Sequence, residues 1–451
     1  MKTVKIFVFF TIFLFYRTSG ALADLKVKDW TQENVFTEYG QEVTMNFELI
    51  AENLEQNYYY HSWSFIFDKK ERINIIEVSD SSNKSSKYTF GDNTLKIEFD
   101  KLFNKHSIRL VIKYQEFNRD IDKIPYIRIE CVQIPKFAAG TMGNLNVKTL
   151  NDMDIYSLNE NFSRKEDVYK WSGNIAKEGF YDCFKMTKKE AKWLVSTTFT
   201  VNSDGDFKNL KVKLPLNFIG GNNETLEYGI FTNQDNYVQN MYNAQDKGSA
   251  TVEFKNFYLR TAVVKIAAKV KNNYNNFYWM NDFDINDTIK IKDEYANTYS
   301  SLINTIQEED KSNLPTHIKV AKWVNKHITY TESFVGKKME SIDILRIGKG
   351  VCEHYAILYQ DLLRSIGIPA KTVSGVSYNS EKKKFENHAW VMINYNSQWL
   401  PIDPTWGIYS GKLPISHIFM YNDVRNNIKF WYPSKLNMSS EIVNNAEFVE
   451  F

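Results

Sequence analysis

Cysteine is nearly absent, with three in 451 residues. That is too few for a disulfide-stapled scaffold, so the fold has to rest on hydrophobic cores. Proline (9) and glycine (19) are scarce while aromatics reach 15%, which excludes long disordered or low-complexity tracts. A surplus of one charge is missing too: 56 Lys and Arg face 54 Asp and Glu. No broad basic footprint for phosphates exists, and no nucleic-acid partner is expected. Beyond the amino terminus, no stretch approaches the roughly 18 consecutive apolar residues of a membrane-spanning helix. What remains is a chain long enough for about two to four domains, each with its own core.

The amino terminus reads as an address. Lys2 and Lys5 precede an apolar run from Ile6 to Tyr16, Arg17 closes it, and Ala21-Leu22-Ala23 offers a small-residue cleavage site before Asp24. The run is about half the length that spans a bilayer, so residues 1–23 are expected to be a signal peptide removed on export. Its removal takes three cations and no acid, leaving 53 basic against 54 acidic residues. In an oxidising compartment Cys131 and Cys183 could pair, or they could be two buried thiols. Either way Cys352 is left alone.

From Asp24 the hydrophobic pattern has period two. Val43, Met45, Phe47 and Leu49 alternate with polar residues, as do Leu95, Ile97 and Phe99, and Ile108, Leu110, Ile112 and Tyr114. A turn cluster such as Gly91-Asp92-Asn93 between such runs predicts antiparallel strands with one buried face. After a less regular stretch the β pattern resumes at Trp193 and continues to Val270. Two β-sandwich-like domains are expected, at residues 24–145 and 146–290. From 291 to 451 the chain reads as α+β: Ile318, Val320, Trp323, Val324 and Ile328 fall at mostly helical spacing.

The chemistry lies in this last part. Gly348, Gly350 and Cys352 open a predicted helix that runs to about Ile366, with Gly367 as its stop. Free N–H groups at a helix start favour a thiolate, and the amide of Cys352 could help hold an oxyanion. Asn387 to Tyr395 reads as a strand, Asn396-Ser397 as a two-residue turn and Gln398 to Ile402 as the returning strand. Opposed residues then sum to 793, so Trp390 faces Asp403 and His388 lies diagonally on the same face. A carboxylate there can hold one ring nitrogen of His388 and leave the other for Cys352. His354 is set aside as a partner, because two residues along a helix turn a side chain away from Cys352. A zinc site of Cys352, His354 and His388 has no recognised spacing. His61, His106, His317, His327 and His417 have no motif around them. Trp390, Trp399 and Trp406 are taken as packing around the hairpin. No metal and no cofactor is expected.

The order Gly-x-Cys-x-x-Tyr-Ala at 350–356, His388-Ala389-Trp390, and Trp399 followed by Asp403-Pro404-Thr405-Trp406 resembles the transglutaminase-like superfamily, over residues 315 to about 430. The resemblance implies a papain-like α+β domain in which Cys352 is the nucleophile, His388 the base and acid, and Asp403 the residue that orients the imidazole. Animal crosslinking members carry a tryptophan shortly before the nucleophile as an oxyanion donor, and no tryptophan lies between Tyr330 and Cys352. The resemblance thus implies an exported cysteine enzyme acting on peptide or protein amide bonds, hydrolytic rather than crosslinking. Amine transfer to protein glutamine is one alternative. A binding or assembly protein with an idle triad is the other. The expected partner is a protein or peptide substrate, with no membrane span after signal cleavage, and the expected place is the periplasm, cell surface or medium.

Overall fold

The structure, a computed structural model, describes residues 24–37, 40–52, 54, 59–67, 73–80, 86–117, 127–134, 142–149, 152–174, 179–205, 209–215, 223–233, 237–241, 249–255, 260–273, 284–379, 381–421, 429–431 and 438–448. The expected signal peptide, residues 1–23, lies outside them. The chain divides into two compact units. The first takes in the described residues up to Met186, except Ile127 and Tyr156–Leu158, which belong with Thr187 onward in the second.

The first unit is built of strands. Its largest sheet runs, in order, Ser163–Lys165, Val168–Asn174, Met142–Lys148, Asp24–Thr37, Gly40–Glu52, Ser107–Phe117 and Ile73–Asp80. Two three-stranded sheets, one of Met153–Ile155, Phe180–Lys188 and Ile127–Ile134, the other of Tyr59–Ile66, Thr94–Phe103 and Lys87–Gly91, supply side chains to the same core. The alternating residues do what period two requires: Val43, Met45, Phe47 and Leu49 are all buried, and Trp30 stacks on Phe47 with ring centroids 4.9 Å apart. Asp92 and Asn93 both adopt positive φ, the signature of a two-residue turn that follows strand twist. Cys131 and Cys183 form a disulfide. The expected boundary at 145/146 falls inside the strand Met142–Lys148, which pairs in parallel with Asp24–Thr37 and antiparallel with Val168–Asn174. That pairing and the disulfide carry the first unit on to Met186.

The second unit contains two four-stranded antiparallel sheets and a helical layer on a third. One sheet runs Asn223–Thr232, Thr261–Asn273, Glu190–Ser203, Met438–Phe448; the other runs Tyr237–Met241, Ser249–Lys255, Asn209–Pro215, Lys429–Trp431. The last strand of each comes from the far end of the chain, which the sequence pattern assigned to the α+β part. Pairing there covers backbone groups that an open strand would leave without partners.

Among the described residues four α-helices follow: α1 (Asp293–Glu309), α2 (Thr316–His327), α3 (Ser341–Ile347) and α4 (Cys352–Arg364). The third sheet has the order Gln398–Ile402, Lys384–Tyr395, Ala370–Asn379, Ile418–Tyr421. α4 is central. Its Ala356, Leu358, Tyr359, Leu362 and Leu363 are buried with Ala389, Val391 and Ile393 of the sheet, each leucine contributing about 2 kcal/mol by burial. Gly367 ends the helix at φ 76°, while the Ile368 N–H donates to the Leu363 carbonyl at 3.1 Å. Among the described residues no helix is long and apolar enough to cross a membrane.

Candidate active site

Cys352 is the first residue of α4 and lies behind two glycines with separate tasks. Gly348 takes φ 62° to close α3, a conformation that L side chains rarely adopt. Gly350 must lack a side chain, because a Cβ there would sit 2.5 Å from the Cβ of His354. His354 is therefore a structural residue. Its Nδ1 accepts from the Val351 N–H at 3.1 Å and its Nε2 lies 2.9 Å from the Lys337 carbonyl, which pins the loop at the start of α4. Cys352 is the free cysteine, only partly buried.

The hairpin that carries His388 keeps the predicted register. Val391 pairs with Ile402 and Tyr395 with Gln398, while Asn396 and Ser397 make the turn with φ of 51° and 61°. Asp403 continues past the strand into a small bridge with Ile408. Its Oδ1 accepts from the amides of Thr405 at 2.9 Å and Trp406 at 3.2 Å, an Asx turn that fixes the carboxylate. Its Oδ2 is 2.7 Å from His388 Nε2. That contact leaves Nδ1 of the ring to face Cys352, which lies near enough to act on the charge of His388. The structure thus pairs His388 with Asp403 at 2.7 Å and brings Cys352 near enough to act on the His388 charge. Trp406 stacks on the His388 ring at 4.1 Å and an interplanar angle of 18°, so it lies against the imidazole as well as packing around the hairpin.

A fourth group joins them that the sequence did not single out. His417, just before the strand Ile418–Tyr421, places Nε2 3.2 Å from the same Asp403 Oδ2, and its Nδ1 is 2.9 Å from Ser377 Oγ. A short apolar run, Ile415 to Met420, is broken there by Ser416 and His417. That break was the available signal.

Electrostatics separate the two imidazoles. Burial alone would lower the pKa of His388, but the Asp403 charge, the hydrogen bond the ring donates to Asp403 and the nearby Cys352 outweigh it and hold the ring well above the usual imidazole range. Burial would raise Asp403, and the facing His388 and His417 overcome it to hold the carboxylate ionised. His417 goes the other way. Burial dominates and brings it down to about 4, only partly offset by Asp403. Near the thiol, Tyr330 pairs across a short parallel bridge with Gly350. Burial, and then the charge of Cys352, push its phenol up to about 12, so it stays protonated.

His388, Asp403 and His417 could also hold a metal ion, their ligand atoms lying within 4.8 Å of one another. Two imidazoles and a carboxylate suit zinc. Each of these atoms is already engaged in the hydrogen bonds just described, which a metal would have to replace.

Residues 300–404 match the model of the transglutaminase-like superfamily. Kyphoscoliosis peptidase of Mus musculus is 28% identical over 138 residues, covering 28% of this chain and 20% of the relative. An uncharacterized protein of Mycobacterium leprae (strain TN) is 31% identical over 94 residues, 20% of this chain and 33% of that protein. The chain thus spans between a fifth and a third of the length of the curated relatives it matches. Among solved structures, a candidate cysteine protease from Cytophaga hutchinsonii is similar with a TM-score of 0.41 and 15% identity, over 58% of this chain and 92% of that one. Residues 300–404 of this chain form a transglutaminase-like core.

Proposed function

We propose that this chain is an exported cysteine-dependent hydrolase of peptide or protein amide bonds. The observation that carries the reading is the buried His388–Asp403 pair, 2.7 Å apart, with Cys352 at the start of α4 near enough to act on the His388 charge. The Cys352 sulfur, its proton taken by His388, attacks the amide carbonyl. The carbon–nitrogen bond breaks as His388 returns that proton to the leaving amine, and a thioester remains. Water then attacks the thioester with His388 as base, releasing the acid and restoring the thiol. The Cys352 amide at the start of α4 is one oxyanion donor, and we assign the second to Tyr330, half exposed and paired beside Gly350, whose phenol feels the Cys352 charge. Replacing Tyr330→Phe is expected to lower turnover about 100-fold with the fold intact.

Support for hydrolysis comes from the Mus musculus relative, which is named a peptidase. Support for export comes from the disulfide between Cys131 and Cys183, a bond that persists in oxidising compartments. The test is to offer a generic protein together with a labelled primary amine. Cleavage by the native chain and none by Cys352→Ser is the expected result. Incorporation of the amine without cleavage would replace hydrolysis by transfer. Neither reaction, with Cys352 no more reactive than a free thiol, would sink the enzyme.

A further inference from the structure

Two hydrogen bonds among wholly buried groups have no part in the reaction just described. Asp403 is completely enclosed, and its Oδ2 receives two imidazoles where a triad needs one. On the second, His417, the proton must sit on Nε2, since only a donor can approach a carboxylate at 3.2 Å. Nδ1 is then a lone pair, and the Ser377 hydroxyl 2.9 Å away donates to it. Asp403 thus selects the tautomer of His417, and the Ser377 hydroxyl turns to donate to the remaining lone pair and holds the ring in place. Ser377 is itself fully buried on the strand Ala370–Asn379, whose neighbour on one side carries His388, paired with Gly375, and on the other pairs Val376 with Ile418, next to His417.

We infer that His417 is a positioning residue for this triad: its neutral Nε2–H, oriented by Ser377, holds the Asp403 carboxylate ionised and aimed at His388. The inference rests on the triad reading above. Four donors reach this carboxylate, two backbone amides on Oδ1 and two imidazoles on Oδ2. Without His417, one lone pair of a fully desolvated anion loses its partner. A carboxylate that loses a charge-assisted donor binds a proton more readily. The ionised form of Asp403 is what raises the basicity of His388, so the thiol would lose its proton acceptor at a higher pH than before. The titratable groups facing Asp403 and His417 are His388 and the Tyr409 phenol, with Cys352 beyond His388. Trp390 and Trp406 close the remaining sides of His417, at 5.4 Å and 5.1 Å between rings.

The segment bearing His417 is itself held firmly. Asn272 Nδ2 donates to the Ile415 carbonyl at 2.9 Å, and the Ile415 N–H donates to Thr187 Oγ1 at 2.8 Å. The histidine is thus anchored from the strand Thr261–Asn273 as well as from its own sheet.

The test uses the full chain and reads the alkylation rate of Cys352 by iodoacetamide against pH, so that no substrate has to be known. Four variants are compared with the native chain: His388→Ala, His417→Phe, His417→Gln and Ser377→Ala, with near-ultraviolet circular dichroism confirming each fold. His417→Phe keeps a ring of similar volume and loses the donor. It is expected to slow alkylation at pH 6 at least tenfold and to move the acid limb of the profile up by about one pH unit. His417→Gln, whose amide can donate to Oδ2, is expected to recover most of both, and Ser377→Ala to fall between. If His388→Ala collapses the rate while His417→Phe, folded, leaves rate and profile unchanged, His417 only fills space and the inference is overturned. If His417→Phe does not fold, a native profile in Ser377→Ala together with no recovery by His417→Gln overturns it equally. If His388→Ala itself has no effect, the triad reading fails and this inference with it.

Discussion

The strand Lys384–Tyr395 and the segment leading into Ile418–Tyr421 lie on opposite sides of the same central strand, and each brings a histidine to one oxygen of Asp403. Their surroundings are alike: both rings are buried, both touch Trp390 and Trp406, and the rings are 5.5 Å apart. Their charge states are opposite. His388 has Cys352 nearby and its pKa is raised, whereas His417 has the Ser377 hydroxyl on its other nitrogen and its pKa falls to about 4. The balance between burial and the shared Asp403 charge therefore separates them: that charge outweighs burial at His388 and not at His417. The raised ring is the one suited to hold and pass a proton, and the lowered ring stays neutral as a fixed dipole.

The largest effect that can break this pairing comes from the oxygen that both rings share. Asp403→Asn keeps a carbonyl able to accept from one side, but it removes the charge and cannot accept from both imidazoles and both backbone amides. Cys352-dependent turnover is expected to fall about 1,000- to 10,000-fold, as when an orienting carboxylate becomes an amide in other triads. A loss of tenfold or less would mean that the carboxylate is structural.

The opposite shifts of the two rings also predict opposite contributions to stability. His417 has a folded pKa of about 4 against an ordinary 6.5, so the unfolded chain binds the proton first as pH falls. Stability from His417 is present above pH 6.5 and is lost between pH 6.5 and 4, by about 3 kcal/mol at the lower end. For His388 the folded pKa is raised, so its contribution is complete below pH 6.5 and fades as pH rises through the folded value. Urea unfolding of the native chain and of His417→Gln at pH 4.5 and 7 checks the first. The difference between the two proteins should narrow on acidification. His317, which burial also lowers to about 4, is common to both and cancels.

A smaller effect is expected where the segment bearing His417 is anchored. Asn272→Ala removes a buried donor from the Ile415 carbonyl and should cost about 1–3 kcal/mol. Cys352 alkylation should slow with it, although Asn272 touches none of the reacting groups. Loss of stability with a native alkylation rate would show that the anchor serves the fold alone.

The two histidines also explain what could be read in advance. The register of the hairpin was legible because two residues with positive φ, Asn396 and Ser397, leave the strands one way to pair, and that arithmetic placed His388 beside Asp403. The start and stop of α4 were legible from Gly350 and Gly367 for the same local reason. His417 was not. It reaches Asp403 through the pairing of Val376 with Ile418, residues 42 apart, and no local turn announces that pairing. The strands Lys429–Trp431 and Met438–Phe448 escaped likewise, since they pair with Asn209–Pro215 and Glu190–Ser203, more than 200 residues earlier. Local geometry was written in the sequence; partners chosen across the fold were not.

The smallest effect belongs to charges outside the buried network. Lys382 Nζ lies 2.9 Å from Glu332 and 3.0 Å from Glu386, the latter two residues before His388. These distances match those inside the triad, yet the Lys382 and Glu332 side chains are 44% and 69% exposed. Water screens such a pair, and holding two long side chains offsets most of what attraction remains. Lys382→Ala is therefore expected to change stability by less than about 1 kcal/mol, with a difference that shrinks further in 0.5 M salt. A loss as large as that of Asn272→Ala would mean that this three-residue bridge clasps the 332–334 turn to the hairpin. Burial of the partners, rather than the distance between charges, would then no longer be what separates the Asp403 network from the rest of the chain.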